Sequence, residues 1–417
     1  HRDLHSFPTR RSSDLQPAAL PRRSDRLALA KMHRLVQATA READPSKSAG
    51  LVPSMEALIR ECFRRLSQPA AWGGPDADWE VGALAAVARS WLSRPDGIGL
   101  EIAAAVSRAL AGRNRSIEAK NLIELARPES EKMLGLTHPV TATCLKQQGE
   151  LFREMRLFAE ADGLIRRALL ADEALFGERH WRVARDLNGL ALLAHDQGRL
   201  NEAEQLYQKA LWSVAGSAED DADAKLQAAI VQHNLADLLR DQGRVQEALT
   251  TFRTALATLR IALGDTHPYV AVALNNMAVT HHNQGDFAEA DRCYREALSV
   301  FDACIGPDDL RVATTLHHRA LLLWETHTTA EAVRLLQRAL KIMRNVDPLP
   351  GRDDVRARKI AEDYAAILVE TGCPRERIET DELLTGIQIP LPARSRFDTW
   401  IRRKRRFLKL SFPFGRR

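Results

Sequence analysis

Apolar residues recur along the middle of the chain at helical intervals, broken at regular distances by short polar turns. Between His267 and Pro307, Val270, Leu274, Met277, Ala278 and His281 keep the three-and-four spacing of one buried helix face. Asn283-Gln284-Gly285-Asp286 reads as a turn, with Gly285 free to take a positive φ. A second amphipathic run follows in Phe287, Ala290, Tyr294, Ala297, Leu298 and Phe301, and Gly306-Pro307 closes it. The spacing predicts two antiparallel helices, and the unit recurs. Glu160-Ala161, Glu202-Ala203, Glu247-Ala248, Glu289-Ala290 and Glu331-Ala332 mark one position in successive copies, at steps of 42, 45, 42 and 42 residues. Each is followed seven residues later by Ala-Leu, at Ala168, Ala210, Ala255, Ala297 and Ala339. A period in this range predicts stacked repeats, each unable to bury its apolar face alone.

Small residues stand where paired helices must approach closely: Gly149, Ala191, Ala236, Ala278 and Ala320 in the first helix, and the two alanine series in the second. Enlarging one overpacks a tight contact, so Ala290→Leu is expected to lower the melting temperature and Asp291→Leu to leave it unchanged.

The motifs ALNNMA, QGDFAEA and YREAL at this period resemble the tetratricopeptide repeat, and the 42-residue spacing looks like its kinesin-light-chain type. The resemblance implies an all-α, right-handed helical-repeat solenoid with an N-terminal helical remnant and a C-terminal capping helix. It implies six copies over 98–347, the first degenerate around Glu118-Ala119 and Ala126 and the last carrying His327 where Gly belongs. The helix Val355 to Glu370 would cap the stack, within a segment 348–393. The acidic loop Ser217 to Asp223 holds a three-residue insertion.

The chain has 417 residues, 45% of them hydrophobic, enough to bury a large core. It contains no run of 18 apolar residues that would read as a membrane span. Five scattered cysteines without a CxxC pair fit reduced thiols in a cytoplasm better than disulfides or zinc. The net charge of +5 conceals an asymmetry: residues 394–417 carry ten Lys/Arg against Asp398, leaving the rest net negative. Overall basicity therefore says nothing about nucleic-acid binding by the repeats.

At the start, 1–15 (HRDLHSFPTRRSSDL) resembles a translated sequencing adapter and is set aside from fold reasoning. LALAKMHRLVQATARE, followed by a helix and repeats, resembles bacterial signalling NTPases of the NB-ARC/STAND type. There such a phrase ends a winged-helix segment, here 16–44, and a helical linker follows, here 45–97 with Trp79 to Leu92. The resemblance implies an NTPase domain upstream, and oligomerisation through it. No GxxxxGK loop occurs in the chain, so no nucleotide cofactor is assigned to it; Gly97-Ile98-Gly99 reads as an inter-helix loop.

By the repeat resemblance, one face of each first helix lines a concave groove for a protein or peptide. This places Asn188, His195, His233, Asp237, Arg240, Asp241, Asn275, His282, Asn283, His317, Trp324 and Glu325 there, as ligand contacts or as solvated helix faces. The Lys/Asn pattern of carboxylate clamps is absent. His281-His282 and His317-His318 point about 100° apart on their helices, which disfavours a metal site. No nucleophile–base constellation is visible, so a catalytic role is not expected. The tail interleaves Trp400 with Arg402, Arg403, Lys404, Arg405 and Arg406, as an arm for an anionic membrane or nucleic acid, or as a disordered basic end. The function expected is the ligand-sensing repeat region of a cytoplasmic STAND-type NTPase. The alternatives are a free-standing scaffold or, less favoured, an enzyme whose catalytic part is unrecognised or missing.

Overall fold

The computed structural model describes residues 78–112, 115–217, 221–346 and 355–374, with Ile59 and parts of 377–387. The adapter-like segment, the phrase LALAKMHRLVQATARE and the basic tail lie outside the described residues. Two compact units, 1–63 and 64–417, divide the chain, and the second carries every helix described below.

Fourteen helices follow one another among the described residues: α1 Asp78–Trp91, α2 Ile98–Ala111, α3 Ser116–Leu134, α4 Pro139–Glu154, α5 Phe158–Phe176, α6 Trp181–Asp196 and α7 Leu200–Val214, then α8 Ala222–Asp241, α9 Val245–Leu263, α10 Pro268–Gln284, α11 Phe287–Cys304, α12 Leu310–Glu325, α13 Thr329–Val346 and α14 Val355–Glu370. No strand occurs among those residues. From α2 to α13 they pair as antiparallel hairpins stacked into a solenoid, and α14 packs on α13 at the far end.

The local chemistry explains the helix boundaries. His138, His180 and His267 cap α4, α6 and α10, each Nδ1 accepting a backbone N–H two residues on. Asp221 and Asp309 do the same for α8 and α12. Pro139 and Pro268 stand at the first helical positions, where no N–H is needed. From the α4–α5 hairpin onward the turn holds a left-handed residue: Gly198, Gly243 and Gly285 supply it at φ 76°, 79° and 85°. Arg156 and His327 hold the same place at φ 62° and 60°, conformations costing about 1–2 kcal/mol for residues with a side chain. In the turn after α10, Asn283 and Gln284 remain helical and only Gly285 departs, so the helix runs two residues further than its sequence suggests.

Hairpin closure rests on the small residues. Ala161, Ala203, Ala248, Ala290 and Ala332 are fully buried, as are Ala168, Ala210, Ala255, Ala297 and Ala339. Ala119 and Ala126 are buried likewise on α3. At Gly149 a Cβ would stand 2.6 Å from Cγ1 of Ile165, so this place cannot hold even Ala without a shift. Gly99 is tighter still: a Cβ there would lie 2.1 Å from the Trp91 carbonyl oxygen, and its role is to seat α2 on the end of α1.

Ala290→Leu should therefore cost roughly 1–3 kcal/mol. The control needs correction, because Asp291 binds Arg319 at 2.8 Å and Arg295 at 2.7 Å. Arg295, with a side chain 64% exposed, is the better neutral site. A fall in melting temperature for Ala290→Leu but not for Arg295→Leu in thermal unfolding is the expected result; equal shifts would remove this account of the close contact.

Candidate functional site

The inner helices α4, α6, α8, α10, α12 and α14 carry two rows of polar residues that run from one repeat to the next. In the first row, Arg153 binds Asp196, and His195 Nε2 lies 3.1 Å from Asp241 Oδ2. Further along, His282 Nε2 faces Glu325 at 3.5 Å without a hydrogen bond, and Trp324 Nε1 donates to Glu370. Each donor occupies one repeat register, and each acceptor the next register of the following copy. Arg240 stands at the same register but does not reach Asn283, which is exposed; it turns back to Asp237 at 2.6 Å and Asp241 at 3.3 Å on its own helix.

The second row lies two helical turns earlier. Asn234 donates to Asn188 Oδ1 at 2.8 Å, and Asn276 Nδ2 donates to Asp237 at 2.9 Å and meets His233 Nε2 at 3.2 Å. His318 Nδ1 lies 3.3 Å from Asn275 Oδ1, and His317 Nε2 2.9 Å from Asp363. Burial, followed by His317, pushes the His318 pKa well down, leaving a neutral ring that donates through Nδ1.

These rows account for most of the residues singled out in the sequence. Asn275 and Trp324 are fully buried, and Asn188, His282 and His317 nearly so, all engaged between helices rather than facing solvent. Glu325 is half-buried against His282. His195, His233, Asp237, Arg240 and Asp241 instead line a groove of ≈ 260 Å³ across α4, α6, α8 and α10. His195 and Asp196 are the last two residues of α6.

Leu192, Ile230, Leu259, Tyr269 and Val272 give the groove an apolar wall, while Arg153, Asp196, Asn234 and Asn276 complete its polar side. Burial works against the charge of Arg240, but Asp237 and Asp241 outweigh it and hold its pKa above the usual arginine value. Arg153 is held up in the same way by Asp196. Burial draws His233 down against the opposing pull of Asp237, and its Nδ1 is buried without a hydrogen bond. The groove thus offers fixed, alternating donors and acceptors beside apolar surface, a lining suited to an extended segment carrying both backbone amides and side chains. Repeat register could have found Arg153 and Asp196, since they stand one copy before His195 and Asp241. Tyr269 and Val272 have no such signal.

Near this groove, Asp172 of α5 and Asp186 of α6 are both fully buried. Arg185 reaches both carboxyls, at 3.2 and 3.3 Å, and each retains one oxygen without a hydrogen bond. Burial pushes the Asp186 pKa up to about 7, with Arg185 opposing and Asp172 adding to it. No group of three or more His, Cys, Asp or Glu that could hold a metal occurs among the described residues. None of their helices is long and apolar enough to cross a membrane.

Sequence comparison agrees with this architecture. Residues 227–303 and 269–345 match a tetratricopeptide repeat profile, and 184–211 match a second. These stretches are tetratricopeptide repeats, and the solenoid they build is of the protein-interaction class. No curated protein matches the chain. Among solved structures, it is similar to the Rap protein complexed with competence and sporulation factor, at 13% identity over 93% of this chain and 98% of that one, with a TM-score of 0.52. The apo quorum sensor NprR from B. thuringiensis is similar at 11% identity, 91% and 98% coverage and a TM-score of 0.52. A STAND protein with a tetratricopeptide repeat sensor from Pyrococcus horikoshii matches at 11% identity with a TM-score of 0.48, over 95% of this chain and 54% of that one. The first two share the fold; at such identities nothing follows about ligand.

Proposed function

We propose that the inner groove binds an extended peptide or protein segment, and that this repeat region is the ligand-sensing arm of a bacterial STAND-type signalling NTPase. The observation that carries the binding role is the groove itself, where an apolar wall faces rigidly paired Arg153–Asp196, His195–Asp241 and Arg240–Asp237. Side chains locked by neighbours lose little entropy when a ligand arrives. The signalling role rests on the resemblance of LALAKMHRLVQATARE to the end of a winged-helix segment. A solenoid that binds its ligand more tightly in the active arrangement than in the resting one would drive such a switch. Binding rather than catalysis is the activity assigned to these residues.

Val272→Arg tests the groove. Val272 is half-buried in its apolar wall and belongs to neither polar row. Peptides selected on the intact chain are expected to lose about 100-fold or more in affinity to this variant, with the melting temperature unchanged. Undiminished binding would place the ligand elsewhere. The signalling reading is tested separately on the source DNA: an open frame upstream encoding a P-loop and a winged helix supports it, and a start codon close before Gln16 favours a scaffold protein.

A further inference from the structure

At the corner between α5 and α6, guanidinium groups stack on aromatic rings instead of pairing with acids. Arg179 lies 4.8 Å over Trp212 of α7, and Arg182 lies 5.2 Å over Phe176 and 5.1 Å over Trp181. Phe176 stacks in turn on His180, with ring centroids 4.6 Å apart. Trp212 is 46% exposed and Phe176 36%, and exposed Leu175 extends the apolar patch. Neither Arg179 nor Arg182 forms an ion pair among the described residues, and Nη1 of Arg182 is buried without an acceptor.

The arrangement is fixed by the backbone. A Cβ at Gly216 would stand 2.4 Å from Cβ of Arg179 and 3.0 Å from its carbonyl oxygen, so the glycine lets the loop carrying Arg179 close down beside Trp212. Exposed Trp and Arg held in place are the side chains that dominate interface energies. Arg182 as a whole is half-buried and stacked on rings, so a carboxylate arriving at the corner would give it a charge-assisted hydrogen bond.

We propose that this corner is a second binding site, separate from the inner groove, for a peptide segment that sets an Asp or Glu side chain beside an apolar one. The carboxylate would pair with Arg182, with Arg179 adding its charge from over Trp212, and the apolar neighbour would cover Trp212 and Phe176. A polyanion fits less well. Glu178 stands beside Arg179 in the chain, Asp172, Asp186 and Asp223 act on Arg182, and Asp221 and Asp172 act on His180, so a row of phosphates would meet several acids where a single carboxylate meets the arginines.

The test selects 12-residue peptides from a random display library on the intact 417-residue chain and measures each by fluorescence anisotropy against variants. One class of selected peptides is expected to carry Asp or Glu beside Leu, Ile, Phe or Trp. Their affinity should fall about tenfold with Arg182→Gln, Arg179→Gln or Trp212→Ser, while Val272→Arg leaves them unaffected. Replacing the peptide acid by its amide should cost the same factor and add nothing further to Arg182→Gln. Arg179 is exposed, so its variant reports even where an Arg182 substitution disturbs folding, and Arg182→Lys should recover only part of the loss. The proposal falls if every selected peptide responds to Val272→Arg alone, if the corner-dependent peptides lack an acid, or if a twelve-nucleotide oligo-dT binds through these arginines more tightly than the peptides do.

Discussion

Replacing Asp186 by Asn should flatten the dependence of stability on pH between about 4 and 7 and make the protein more stable than the wild type at pH 8. The reason is the fully buried pair Asp172–Asp186, bridged by Arg185. The folded chain holds a proton on Asp186 up to about pH 7, against 3.8 for an ordinary aspartate. Within that window the native state binds more protons than the unfolded chain, so stability falls as pH rises and is flat again above it. Each pKa unit is worth about 1.4 kcal/mol, so the loss amounts to a few kcal/mol. The buried histidines His233 and His318 act in the opposite sense, because their lowered pKa values remove stability as pH falls. Comparing urea unfolding of wild type and Asp186→Asn at each pH isolates the carboxyl pair. Parallel curves for the two proteins would show that Asp186 ionises normally in the folded chain.

Trp324→Ala should be the most damaging single substitution in the C-terminal half, at about 3–5 kcal/mol. The indole is fully buried, and its Nε1 holds Glu370 at the end of α14. Trp324→Phe keeps most of the packing and removes one charge-assisted hydrogen bond from Glu370, for about 1–3 kcal/mol. Both should speed amide exchange across α14 before α4 or α6 respond. Loss of peptide binding with unchanged unfolding and exchange would instead return Trp324 to the ligand face that its sequence register suggests.

Trp324 also illustrates where sequence reading reaches its limit. The helices and their pairing are legible because both depend on local spacing: buried Ala290 and Ala297, left-handed Gly285 and the Gly306-Pro307 stop each act within a few residues. The direction of an inner-helix side chain is settled by the following repeat. Whether His195 faces solvent depends on Asp241, and whether His317 does depends on Asp363, 46 residues away in both cases. Register places such residues on the inward side, but only the stacked neighbour decides between ligand contact and structural bond. Asp172 and Asp186 escaped notice for a related reason. Acidic residues on amphipathic helices read as solvated, and nothing local to either signals that the two meet in the core.

The missing rung at Arg240 has a mechanical consequence. At the α6–α8 junction, a relative rotation of the inner helices strains a bond from each polar row, His195 with Asp241 and Asn234 with Asn188. Between α8 and α10 only the second row resists, because Arg240 is satisfied within its own helix and Asn283 faces water. A load on the solenoid would therefore bend it more readily at this junction, beside the groove on α8, than at the doubly tied junction before it, so that the stack yields unevenly rather than as a uniform spring.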